Sequence, residues 1–355
     1  MMRRLASYDN DIDFPRIWRI GYAITAVLLI ASVGALVGRG LNLGIDFEGG
    51  TSWEVVAPDV SVSEARTALG GAGESGAKIQ IVGGDTIRVQ SEPTDDAALD
   101  AVTAALAEVA GVDVIDVSVS TVGPTWGDEI SAKAQRALVF FFVVIAAYIA
   151  IRLEWKMAIG ALVAVVHDLV ITVGIYALFQ FEVTPATVIA ILTILGYSLY
   201  DTIVVYDKVK DNADTPAVAQ KMPYTDLMSL SLNQVLMRSL NTTITSLLPV
   251  LAMLIVGSFI LGAVTLQEFA VALTIGLVSG AYSSIFVATP LVAFLKEREP
   301  HYQSLRSRLE NQESRRSGAD PVPATASKSS GGSVSAPELS GRAIPPRPRK
   351  KGKRR

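Results

Sequence analysis

Apolar residues in this chain fall into long unbroken runs, except in one segment where they alternate with polar ones. A bilayer span takes about 20 apolar residues at ~1.5 Å rise each. Six runs meet that length and predict transmembrane helices at 17–38, 133–151, 157–179, 185–206, 238–261 and 269–295. The first, Ile20 to Val37, follows Arg3, Arg4, Arg16 and Arg19. A cleaved signal peptide has a similar outline. The run is longer than a signal-peptide core and other spans follow it, so it is read as an uncleaved first span. Pro249 falls inside the fifth span, and Arg152, Glu154 and Lys156 form a tight turn between the second and third.

Residues 39–132 follow a different pattern. Ser52–Ala57 alternates like a strand, Val62–Leu69 suits a short helix, and Lys78–Val82 and Thr86–Gln90 are strands joined at Gly83-Gly84-Asp85, a hairpin signal. Asp95–Val109 is helical with Thr94 as its N-cap, and Val112–Ser120 alternates again. The predicted order is βαββαβ, a small α+β domain of the ferredoxin-like type. That fold hosts many functions and names none.

Half of the 355 residues are hydrophobic, a membrane composition. The net charge of −3 hides an asymmetry. Residues 40–130 hold 16 acids and 3 bases, while residues 296–355 hold 15 Lys and Arg against 6 acids. Under the positive-inside bias the acidic domain lies outside the cell. The N-terminus (1–16), the Arg152 turn, a polar loop at 207–237 and the tail (296–355) lie in the cytoplasm. The expected protein is a multi-pass helical membrane protein with both termini cytoplasmic. Ser, Gly and Pro dominate the tail, which reads as disordered. Its basic tip touches anionic lipid or ribosomal RNA, or simply fixes topology, and the last is preferred. No specific nucleic-acid partner is expected.

The fourth span carries one charge, Asp201, ~24 Å along the helix from Pro185 and ~10 Å from Lys208. An ionised Asp at such depth costs roughly 2.5–3.5 kcal/mol without a partner or water. It is either a structural acid bonded to a neighbouring helix or an ion or proton relay. The third span carries His167 and Asp168, whose side chains point about 100° apart and are not expected to face one partner together. The fifth begins with Arg238, and Asn241, Thr242 and Thr245 follow on the same helical face. Arg238 is a snorkelling interface residue or, if 229–237 extends the helix, a cation level with Asp201. Gly160, Gly174, Gly196, Gly257, Gly262, Gly276 and Gly280 lie in or beside spans and suit close helix approach. The chain has no Cys and two His, which excludes a disulfide framework and a multi-His zinc site. With no nucleophile elbow, P-loop or metal cluster, neither an enzyme nor a cofactor is expected.

Five motifs stand in order: GIDFEGGT (Gly44–Thr51), HD (His167–Asp168), GYSLYDTIVVYDKVKD (Gly196–Asp211), LNQVLMRSLNTTITSLLPV (Leu232–Val250) and GAYSSIFVATPL (Gly280–Leu291). Together they resemble the SecD/SecF family of bacterial protein-export membrane proteins, in its SecF branch, over roughly residues 14–296. The resemblance implies a half of a resistance-nodulation-division-type transporter that pairs with SecD. It also implies association with the SecYEG channel and use of the proton motive force to promote export of an unfolded polypeptide. It assigns proton relay to Asp201 and Arg238. Tyr197, Ser198 and Thr202 are supporting polar residues, and Gly44, Asp46, Gly49 and Gly50 a structural motif. Tyr200 stands where the family usually has Asn, and Tyr206 and Lys208 where Phe and Arg are more usual.

Two other functions fit the same pattern. One is a proton-driven lipid or drug transporter half of the same superfamily, against which the outer domain looks too small for a cargo pocket. The other is a non-conducting assembly scaffold, in which the polar residues serve helix adhesion alone.

Overall fold

The computed structural model describes residues 12–92, 95–260 and 263–317. Arg3, Arg4, Thr94, Gly262 and the tail beyond Ser317 lie outside the described residues. The chain divides at Asn311 into one unit and a second from Gln312 onward. The spans, the sheet and the sites all lie in the first.

In chain order the elements begin with α1 (Phe14–Arg39), β1 (Asn42–Leu43), α2 (Ile45–Glu48), β2 (Gly50–Val56), α3 (Val62–Gly71), β3 (Lys78–Val82), β4 (Thr86–Ser91) and α4 (Asp96–Ala110). They continue with β5 (Ser118–Val122), α5 (Pro124–Arg152), α6 (Trp155–Phe179), β6 (Glu182–Val183), α7 (Pro185–Ala213), α8 (Pro216–Ala219) and α9 (Tyr224–Ala252). The last are α10 (Val264–Ser283), α11 (Thr289–Glu297) and α12 (Pro300–Ser317). Wider π-helical turns extend α9 through Met253–Ile260 and join α10 to α11 through Ser284–Ala288. Six of these helical stretches are long and apolar enough to cross a membrane.

Local chemistry sets the starts. Pro15 and Pro185 occupy first turns, where a missing N–H costs nothing. Thr184 caps α7 by accepting from the Thr187 amide. Ser61 and Glu64 form a reciprocal capping box on α3. The cap of α4 is Asp95, which accepts from the Ala98 amide at 2.8 Å.

The polar stretch 207–237 is largely helical rather than a loop: α7 runs on to Ala213 and α9 begins at Tyr224. Its polar side chains pair locally and across the turn, as where Asn212 donates to Ser231 and Gln234. The turn at Arg152–Lys156 is likewise tied down. Lys156 pairs with Glu299, and Lys296 with Glu154, fixing this turn to the end of the sixth span.

The sheet has strand order β3-β4-β2-β5 with every neighbouring pair antiparallel. The β3–β4 hairpin turns through Gly83 and Gly84, both at positive φ, where glycine carries no Cβ penalty. Strand side chains alternate between faces. Trp53, Val55, Ile87 and Val89 point to one face and pack on Ala65, Leu69, Val102 and Leu106 of α3 and α4. The last strand begins later than the alternation suggested, because a 3-10 turn at Val114–Asp116 comes first.

Within the membrane unit, α6 and α10 are the most enclosed spans. Glycines permit this. A Cβ on Gly174 would meet Ser32 of α1, and one on Gly276 would meet Ile194 of α7. Gly196 has open space beside it, so close packing is not its reason.

Candidate functional site

Asp168 is fully buried on α6. Its Oδ1 accepts from Ser279 at 2.7 Å, and its Oδ2 from Ser198 at 2.5 Å and Ser283 at 2.7 Å. The His167 ring nitrogen Nδ1 lies 3.1 Å from Oδ1. One carboxylate thus gathers donors from α6, α7 and α10. Buried charge is tolerated only when satisfied in this way. His167 also stacks on Tyr282, next in sequence to Ser283. Both members of the pair therefore meet α10, against the expectation that they could not share a partner.

One turn along α7 from Ser198, the Thr202 hydroxyl lies 2.9 Å from that of Ser284. Asp201 follows the same turn but faces α9, where Ser239 donates to its Oδ1 at 2.5 Å. Its Oδ2 is enclosed without a hydrogen-bond partner among the described residues. A crevice of about 30 Å³, lined by Tyr197, Tyr200, Asp201, Thr242, Thr243 and Ser246 among others, reaches this carboxylate. That is roughly the space of one water.

Arg238 is not beside Asp201. No ion pair joins them among the described residues, and the Arg238 side chain is exposed. Asn241, Thr242 and Thr245 are exposed on the same face of α9. Thr242 and Thr245 turn their hydroxyls back to the carbonyls of Arg238 and Asn241. Tyr197 and Tyr200 are 52% and 55% exposed on α7. The polar groups thus split into two sets: an enclosed seam (His167, Asp168, Ser198, Thr202) and an outward polar face (Arg238, Asn241, Thr242, Thr245). Asp201 sits between them.

Sequence reasoning missed Ser239, Ser279, Ser283 and Ser284. The one available signal was the spacing of Ser279 and Ser283, one helical turn apart.

The glycine motif shapes the domain's junction with the spans. The Gly44 amide donates to the Val183 carbonyl at 3.0 Å, and a Cβ there would come 2.6 Å from Glu182 Oε1. Gly49 and Gly50 take φ of +79° and +128°. A Cβ on Gly50 would lie 2.5 Å from the Ser91 carbonyl. Burial, and then the Glu182 carboxylate, push the Asp46 carboxyl above the usual range, more than Arg88 draws it down. Beside the motif lies an open cleft of about 840 Å³ lined by Glu48, Glu74, Lys78, Gln90 and Ser91 among others. The domain is therefore not too small to carry a pocket.

Six apolar helices, three of which turn polar groups onto one enclosed carboxylate, together with a small antiparallel sheet, define a multi-pass membrane protein with an intramembrane polar site. Residues 101–298 match the family Protein export membrane protein SecD/SecF, C-terminal, and residues 34–55 match the SecD/SecF GG Motif. The protein translocase subunit SecF of Streptomyces coelicolor is 42% identical over 86% of this chain and 82% of that one. That of Vibrio alginolyticus is 33% identical over 84% and 95%. The crystal structure of SecDF, a translocon-associated membrane protein from Thermus thermophilus, superposes with a TM-score of 0.74 at 34% identity, over 82% of this chain. A super-membrane-facing form of SecDF gives 0.60 at 32% identity, over 86%. The chain spans about two-fifths of those SecDF chains. It belongs to the SecD/SecF family of bacterial protein-export membrane proteins.

Proposed function

We propose that this chain is a SecF-type subunit of the Sec translocation machinery, which works with SecD to promote export through SecYEG at the expense of the proton motive force. The observation that carries the reading is Asp201, a carboxylate with one enclosed, unpartnered oxygen at the end of a crevice in the membrane. Such a group is the natural station for a proton. Arg238 and its polar neighbours are its counterpart on the outward face. That face is costly to leave against lipid and suits a SecD helix, which brings Arg238 into the relay. One charge moved through 100 mV supplies about 2.3 kcal/mol, enough to bias a two-state helix packing.

The charge asymmetry of the chain supports an extracytoplasmic sheet domain and cytoplasmic termini. The strand order and antiparallel pairing support a ferredoxin-like reading of that domain. The cleft does not favour lipid or drug cargo, because Glu48, Glu74, Lys78 and Gln90 give it a polar lining.

Export in cells depleted of the native protein tests the reading, comparing wild type with Asp201→Asn while following membrane level and copurification with SecD. A variant that assembles but leaves precursor trapped supports ion coupling. A variant that assembles and exports normally makes Asp201 structural and favours the scaffold reading.

A further inference from the structure

Antiparallel sheets commonly leave one face solvated. Here the face away from α3 and α4 carries Ser52, Thr86, Arg88 and Gln90, and all four are buried. What faces Arg88 comes from three separate parts of the chain. Its Nε meets Glu54 of the neighbouring strand at 2.7 Å. Its Nη1 meets Glu182 of β6 at 2.6 Å and Glu268 of α10 at 2.8 Å. The side chains of Arg88, Glu182 and Glu268 are only 8%, 6% and 12% exposed. Gln90 adds a 2.6 Å bond to the other Glu182 oxygen, and Thr184 donates to Glu268 at 2.9 Å. Burial would lower the guanidinium's pKa, but the carboxylates of Glu182, Glu268 and Glu54 outweigh it and hold the charge in place. Among the described residues no group of His, Cys, Asp or Glu is placed to hold a metal ion. The carboxylates are organised round the arginine.

The positions of the two deepest partners matter. Glu182 lies two residues before Thr184, the cap of α7, the helix that carries Asp201 and Ser198. Glu268 lies near the start of α10, the helix that carries Ser279 and Ser283. One nitrogen, Nη1, serves both carboxylates. If α7 slides or turns against α10, Glu182 and Glu268 separate, and the two N–H bonds of one nitrogen, fixed in a single plane, cannot follow both.

We propose that Arg88 is the positioning residue through which relative movement of the α7 and α10 spans is passed to the sheet domain. The inference rests on the proton-driven reading above and adds its transmission point. With Glu182 and Glu268 together, the sheet is held down on the spans. When they part, the sheet follows one of them and tilts. One arginine against three carboxylates makes the contact one-sided. Removing a single glutamate leaves Arg88 paired, whereas removing Arg88 leaves three acids repelling one another across the junction.

The chain has no native cysteine, so spin labels can be placed by Ala104→Cys on α4 and Thr265→Cys at the start of α10, both exposed. Pulsed electron resonance then reads the domain-to-span distance in the full chain with its SecD partner in liposomes, with and without an imposed proton gradient. The expected result has three parts. Wild type gives a distance distribution that shifts with the gradient. Arg88→Gln broadens it and loses the shift. Arg88→Lys, which keeps the charge, restores part of the shift. Slow amide exchange at Trp53 and Val89 in each variant shows that the sheet is still folded; an unfolded Arg88→Gln sheet leaves the comparison to Arg88→Lys, which must then show a reduced shift. A wild type that shifts while the folded Arg88 variants shift equally overturns the role of Arg88 and leaves the proton-driven reading standing. A wild type whose distribution ignores the gradient overturns both.

Discussion

The hydroxyl of Ser239 donates a 2.5 Å hydrogen bond to Oδ1 of Asp201, while Arg238, the preceding residue, turns its side chain out of the bundle. Consecutive helical residues point about 100° apart, so α9 offers the acid a neutral donor and the outside a cation. Ser239→Ala should therefore lower stability by about 1.5–3 kcal/mol, the usual loss for a hydrogen bond to a charged group, and impair export. Arg238→Ala should leave the unfolding free energy of the isolated chain within about 0.5 kcal/mol of wild type, as for an exposed residue without an ion pair among the described residues. Its defect should appear only in export with the partner present. A large loss of stability for Arg238→Ala in the isolated chain would show that the arginine is paired inside it.

Asp168 holds three serines from two other helices. Asp168→Leu strands those hydroxyls in the interior and should cost about 1–3 kcal/mol for each that finds no other acceptor. Denaturant titration of the protein in detergent micelles measures it. A cost under about 1 kcal/mol would mean the serines re-pair with backbone carbonyls.

Gly50 is at φ +128° with the Ser91 carbonyl where a Cβ would go. Gly50→Ala should destabilise the sheet by about 1–3 kcal/mol through backbone strain, with further loss from the clash. Amide exchange in β2 and β4 should accelerate together, because the two strands are paired from Thr51 opposite Ser91 to Val56 opposite Thr86.

Asp46 gives a pH dependence. Its folded pKa is raised by burial and by Glu182, so the native state binds a proton more readily than the unfolded chain. Stability then falls as pH rises from the ordinary carboxylate value through the raised one. Asp46→Asn should remove that penalty: the variant is more stable than wild type at neutral pH, and the gap closes on acidification. Thermal unfolding across pH 3–8 follows it. A gap that widens toward acid pH would reverse the sign and disprove the assignment.

Much of the architecture can be read along the chain, because each element answers to a local rule. Bilayer thickness demands runs such as Met157–Phe179, and a sheet with one packed face demands alternation such as Trp53, Val55 and Ile87, Val89. The hairpin at Gly83–Gly84 and the acid at Asp201 stand out for equally local reasons, a positive φ and a charge among apolar residues. What the sequence alone could not determine was the facing of each helix. Periodicity marks a polar face on α9 but not whether it turns inward, and the structure turns Ser239 in and Arg238 out. The partners of Asp168 lie 30 to 115 residues away, a separation that no local pattern encodes. Arg88 reads as an ordinary solvent-facing strand residue until Glu182 and Glu268, from two different parts of the chain, close over it. Hydrophobic burial selects the elements. The pairing of a few polar groups, which cannot be left unsatisfied away from water, decides how those elements are turned toward one another.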